Sequence, residues 1–180
     1  MIDPRAIIDP SAVIGENVEI GPWTTIGAAV AIGDGCRIAS HVVIDGSTRI
    51  GRHNQIFQFS SIGGNVTIGD YAEVDGHAVI AENRTIGAGS HVAAMTMVVD
   101  DVPVYVAVTG NPASAVGLNV DGMRRRGTAA EVIAALCDAF QAVYLNGLPD
   151  AEALDALRGR AQQYREVQSF LNSVESAAEK

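Results

Sequence analysis

Lysine is nearly absent from this sequence, and aromatic side chains and cysteine are scarce. Lys180 is the only lysine, aromatics make up 5% of the 180 residues, and the cysteines are Cys36 and Cys137. With so few aromatics, the core has to be assembled from aliphatic side chains. A formal net charge of −9 argues against nucleic acid as a partner, since phosphate-binding surfaces carry a basic excess. No apolar run reaches the ~18 residues of a membrane span. Two cysteines far apart in the chain do not suggest a structural disulfide, and a reducing cytoplasm is the expected setting. Met1-Ile2-Asp3-Pro4 opens in repeat phase and has no basic-then-apolar secretion signal.

What the sequence does have is a period of six. Every sixth residue from Ile2 to Val98 is Ile or Val. The next residue is often glycine, as at Gly15, Gly21, Gly27, Gly33, Gly51, Gly63, Gly69 and Gly87, and the residue four places on is mostly small, as at Ala12, Cys36, Ser60 and Ala78. Six is not a helical period. It suits short strands in which alternate side chains point inward: the aliphatic fills the interior, and the small residue lets the chain turn a corner. Three hexads close one triangular coil, and coils stack at ~4.8 Å through ladder hydrogen bonds. The pattern therefore predicts a parallel β-helix over residues 1–102, with no external loop before Val98. Cys36 takes a small inward position and reads as core packing.

Residues eighteen apart fall in line on successive coils. One corner column reads Arg5, Trp23, His41, Phe59, His77, Met95. Large groups on one edge make an apolar stripe that something should cover. The preferred cover is a second copy of the chain in a three-fold assembly, with Trp23, His41, Phe59, His77 and Met95 in the interface. Cover by the C-terminal helices is the alternative, and a ligand face the third. His41 and His77 stand two coils apart, roughly 10 Å, too far to share a zinc ion whose ligands lie at about 2 Å. No metal site is expected.

Asp101-Val102-Pro103 ends the coil, and residues 103–127 read as a connecting loop with a basic turn. The tail, 128–180, reads as helical. Thr128 and Glu131 suggest a capping box. Ile133, Leu136, Phe140, Val143 and Tyr144 follow at helical spacing, with Asn146-Gly147 as the stop. A second helix opens at Pro149-Asp150 and carries Leu154, Leu157 and Ala161. A third surrounds Val167, Phe170, Leu171 and Val174. The apolar helix faces are expected on the β-helix flank and its corner column. Arg124-Arg125-Arg126 offer guanidinium forks that match phosphate geometry, against the alternative of a solvated turn facing acidic tail helices.

Three stretches carry a resemblance: Ser40 to Gly46 running into Ile50 to Gly63; Asp101 to Val106 with Gly110-Asn111; and Gly117 to Gly127. In these the chain resembles the UDP-N-acetylglucosamine O-acyltransferase family of lipid A biosynthesis, as a shortened member lacking several coils and an external loop between about Gly63 and Glu82. The resemblance implies a left-handed coil, against the usual right-handed crossover, and a homotrimer with sites between subunits. It also implies an acyl thioester delivered by acyl carrier protein to a UDP-sugar, with no cofactor. The nucleotide-sugar contacts carry over as Asn119, Asp121 (where the family has glutamate), Arg125 and Arg126. The histidine that serves the family as general base has no counterpart: depending on alignment its place is taken by Glu82, Gly46 or Gln58. Nor is there a counterpart to the lysine of the external loop. The expectation is an acyltransferase-family protein that binds a nucleotide sugar or an acyl carrier, with catalysis left open. The alternatives are a non-catalytic structural or regulatory trimer and a zinc enzyme like the γ-class carbonic anhydrases.

Overall fold

The computed structural model describes residues 1–144, Leu157, Gly159 and 162–178. Each hexad contributes a two-residue strand, from β1 (Ile7–Ile8) to β16 (Met97–Val98), and in each the second residue faces in. Strands eighteen residues apart pair in parallel, as Ser61 with Val79 and Ile62 with Ile80. This gives three sheets, one for each side of a left-handed triangular coil. Sheet 3 concerns the site: it stacks β3 (Glu19–Ile20), β6 (Arg37–Ile38), β9 (Gln55–Ile56), β12 (Glu73–Val74) and β15 (His91–Val92). Ile26, Ile44, Ile62 and Ile80 form one interior column and are buried, each contributing roughly 1.5–3 kcal/mol of hydrophobic stabilisation. Several of the interior's polar groups are bonded to the turning backbone, the Thr24 hydroxyl donating to Ala39 O at 2.6 Å and the Thr48 hydroxyl to Gly63 O at 3.0 Å, whereas the Thr96 hydroxyl and Asn54 Nδ2 are buried without a partner among the described residues.

From Asn17 to Met95 the corners turn on the third residue after each inward aliphatic, and that residue takes a left-handed backbone. Trp23, His41, Phe59, His77 and Met95 all have φ near +60°, which is uncommon for bulky residues. Ladder bonds between coils hold them there, as His41 N–H to Pro22 O and His77 N–H to Gln58 O, both 3.1 Å.

The last turn is two residues short, so that Val102 bridges to Ile86 across sixteen residues rather than eighteen. Beyond it, the loop expected over 103–127 proves to be structured. β17 (Val106–Thr109) joins sheet 3 beside β15, β18 (Ser114–Leu118) folds back antiparallel on it, and a short helix α1 (Val120–Arg125) follows. Val106 and Val108 keep the inward alternation and are buried, which is why the sheet continues past Pro103.

Helix α2 (Ala130–Tyr144) buries Ile133, Leu136, Phe140 and Val143, and α3 (Arg165–Ala178) buries Val167, Phe170 and Leu171, as their spacing predicts. The capping box does not form. The Ala129 carbonyl accepts the first helical bond, from Ile133 N–H, while Thr128 N–H closes the end of α1 on Met123 O. Leu157 packs against the core; Asn146, Gly147, Pro149, Asp150, Leu154 and Ala161 lie outside the described residues. The helices cover the end of the coil: α2 lies on β18, and the Ser173 hydroxyl accepts from Val104 N–H at 3.2 Å. They do not cover the corner column, where Trp23, Phe59 and Met95 are exposed by 54%, 51% and 77%. Among the described residues, no helix is long and apolar enough to cross a membrane.

Candidate functional site

The basic segment is the end of a helix and not a free turn. Asn119 caps α1: its Oδ1 accepts from Gly122 N–H at 2.9 Å, and its Nδ2 donates to Gly89 O at 3.1 Å and Glu73 Oε1 at 3.4 Å. Gly122 has no room for a side chain, because a Cβ would strike the Asn119 amide. Asn119 is thus buried and fully engaged, and it ties α1 to sheet 3. Gly127, at φ +77°, releases the chain after Arg126.

From this anchor Arg125 reaches back to sheet 3 and donates through Nη2 to Glu73 Oε1, over half of its side chain still in solvent. Arg126 lies over the Tyr71 ring, its guanidinium carbon 5.7 Å from the centroid. Its Nη2 is buried with no hydrogen-bond partner. Burial pulls this guanidinium below its ordinary pKa, opposed by the neighbouring Tyr105 and Glu73. Asp121 is exposed, 3.6 Å from Arg124. Arg125 and Asn119 therefore converge on Glu73, Arg126 sits one corner away, and Asp121 stands apart.

The outward residues beside Glu73 supply a pair that sequence reasoning missed. His91 is the register partner of Glu73 on the next coil, and its Nε2 lies 2.9 Å from Asp75 Oδ2. Solvent still reaches 31% of the His91 side chain and 35% of Asp75. The two are sixteen residues apart and flank the rung Val74–Val92. The available signal was geometric: the outward residue after one inward aliphatic meets the outward residue before the next aliphatic in that column.

The other histidines are placed differently. His41 and His77 stack on the two faces of Phe59, at centroid distances of 4.9 and 5.0 Å, and His53 stacks on Tyr71 at 4.9 Å. Arg5 caps Trp23 at 5.6 Å. Glu82 is exposed and belongs to another side of the coil. Cys36 is buried, donates to Gly51 O at 3.0 Å, and burial pushes its thiol pKa up. Among the described residues, no three His, Cys, Asp or Glu side chains are grouped to hold a metal ion. Lower on sheet 3, Gly21 and Ala39 leave a groove of about 670 Å³, walled by Pro4, Arg37 and Phe57. Phe57 is one coil below Asp75.

The sequence pattern of the UDP-N-acetylglucosamine O-acyltransferase family, domain 2, matches residues 101–180, and that of the GMPPB C-terminal domain matches residues 2–111. The acyl-[acyl-carrier-protein]–UDP-N-acetylglucosamine O-acyltransferase of Ectopseudomonas mendocina is 48% identical over 82 residues, 46% of this chain and 32% of that protein. The chain thus spans about a third of the length of the curated relatives it matches. Among solved structures, GDP-perosamine N-acetyltransferase of Caulobacter crescentus, in complex with CoA and GDP-perosamine, is 34% identical with a TM-score of 0.63, covering 64% of this chain and 55% of its own. The Francisella novicida UDP-N-acetylglucosamine acyltransferase covers 98% of this chain and 92% of its own, with a TM-score of 0.58. At 20% identity it speaks for the fold alone.

Proposed function

We propose, from the premise that the chain belongs to the GMPPB C-terminal domain family over residues 2–111 and carries the second domain of the UDP-N-acetylglucosamine O-acyltransferases over residues 101–180, that it binds the diphosphate of a nucleotide sugar beside α1 and transfers an acyl group to the sugar. The observation that carries this reading is the delivery of Arg125 by a capped helix end onto the face that holds Glu73, Asp75 and His91. A guanidinium half in solvent there can exchange its carboxylate for a phosphate oxygen. Asn119 supports the site by holding the helix. Asp121, free of the coil, is the group available to a nucleoside. The groove over Gly21 and Ala39 suits an apolar acyl chain, with acyl carrier protein or coenzyme A as the thioester source. The exposed Trp23–Met95 corner is the surface on which copies of the chain meet in a homotrimer.

Calorimetric titration with UDP-N-acetylglucosamine tests this. Saturable heat is expected, with Arg125→Ala weakening binding at least tenfold, about 1.4 kcal/mol. No heat at millimolar ligand from a folded protein overturns the reading. A second reading, a non-catalytic structural or regulatory trimer, is favoured by the internal partners that already occupy Asn119 and Arg125. Binding with no acyl transfer would select it.

A further inference from the structure

We infer that His91, oriented by Asp75, is the general base of this protein, in place of the histidine whose position is vacated in the repeat. The inference rests on the nucleotide-sugar reading above. Among the described residues, His91 is the only one of the four histidines paired with a carboxylate. The other three are stacked on aromatic rings at corners. Glu73, the nearest other candidate, already accepts from both Arg125 and Asn119, which leaves it poorly placed to take a proton.

The geometry defines which nitrogen acts. Nε2 faces Asp75 at 2.9 Å, so a neutral imidazole held there keeps its proton on Nε2 and its lone pair on Nδ1. Nδ1 has no hydrogen-bond partner among the described residues. Backbone bonds hold the two coils in register at this pair: Asp75 N–H donates to Val92 O at 2.9 Å, and Glu73 N–H to Ser90 O at 3.0 Å. His91 lies one coil from the glutamate that holds Arg125, so a sugar tethered by its diphosphate to Arg125 has its hydroxyls within reach of this face.

The step is a proton-coupled acyl transfer. Nδ1 takes the proton of a sugar hydroxyl as that oxygen attacks the carbonyl carbon of an acyl thioester. A C–O bond forms and the C–S bond breaks. The departing thiolate then recovers the proton from the imidazolium, whose charge Asp75 stabilises while it exists. An amino group on the sugar would follow the same course, giving an amide and the free thiol.

The test uses the full chain, UDP-N-acetylglucosamine as acceptor, and acyl-[acyl carrier protein] or acetyl-coenzyme A as donor. His91→Ala should bind the nucleotide sugar as the parent does and transfer at least a hundredfold more slowly, the usual worth of a positioned base being ~10²–10⁴. Added imidazole should restore part of that rate, which it would not do for a merely structural residue. Asp75→Asn, which disturbs the tautomer and not the base itself, should lose at least tenfold and not respond to imidazole. A His91→Ala rate within threefold of the parent overturns the assignment. So does a parent protein that binds the nucleotide sugar but transfers from neither donor, in which case the binding reading survives alone. A folded parent that does not bind the sugar nucleotide overturns both.

Discussion

The guanidinium of Arg126 occupies the space that Gly89 leaves by having no side chain: a Cβ at Gly89 would stand 2.7 Å from Arg126 Nη2 and 2.9 Å from the Tyr105 ring. Gly89 has φ +66°, yet conformation alone does not require glycine, because Asn17, His53 and Tyr71 take the same left-handed corner in the same column. The requirement is room for Arg126. Gly89→Ala should therefore leave the coil folded, lower its stability by about 1–3 kcal/mol through overpacking, and weaken UDP-N-acetylglucosamine binding severalfold by displacing the arginine. Thermal melting and calorimetry measure the two effects; unchanged affinity would remove Arg126 from the site.

Glu73 competes with any anionic ligand for Arg125. Its carboxylate holds Nη2 and faces the region where a diphosphate would sit. Glu73→Gln keeps an oxygen for Asn119 Nδ2 and removes the negative charge. Binding of the nucleotide sugar should tighten severalfold, and the gain should shrink as salt rises and screens the charges. Weaker binding in Glu73→Gln would instead make the glutamate part of the recognition surface.

The interior ladder sets stability one rung at a time. Ile62 is buried between Ile44 and Ile80 in register, and each coil rests mainly on its neighbours. Ile62→Ala should cost about 2–5 kcal/mol. Ile62→Asp adds an unpaired buried carboxylate and should abolish the cooperative thermal transition. A melting curve for Ile62→Asp that matches the parent's would contradict the register.

What was legible in the sequence follows from how each feature is written there. Burial is recorded directly by the six-residue aliphatic period, so Ile2 to Val98 gives the coil, its three sides and its register. The tail helices α2 and α3 were legible for the same reason, through the spacing of Ile133 and Leu136 and of Val167, Phe170 and Leu171. The segment 103–127 was not. Its strands are only four and five residues long, and α1 is held by the Asn119 cap, not by an apolar period. The partners of Asn119 and Arg125 could not be read either, since Glu73 and Gly89 meet them only once the last coil shortens by two residues. His91 and Asp75 escaped because neither belongs to a motif; their meeting depends on which outward positions flank a shared rung.

The exposed corner gives the test of assembly. Trp23 stands in a ladder in which Arg5 of the preceding coil covers its ring and His41, Phe59 and His77 of the following coils stack on one another. None of the described tail helices covers it, and Trp23, Phe59 and Met95 remain largely in solvent. A continuous apolar edge of this kind is costly to leave in water, whereas burial against the same edge of other copies recovers ~25 cal/mol per Å² of apolar area. Trp23→Glu places like charges opposite one another at each junction without touching the interior, so the coil's circular dichroism should not change. Light scattering should then report the 18.7 kDa of one chain where the parent reports three. An unchanged assembly in Trp23→Glu would move the interface off this corner and leave the ladder as a feature of the single coil.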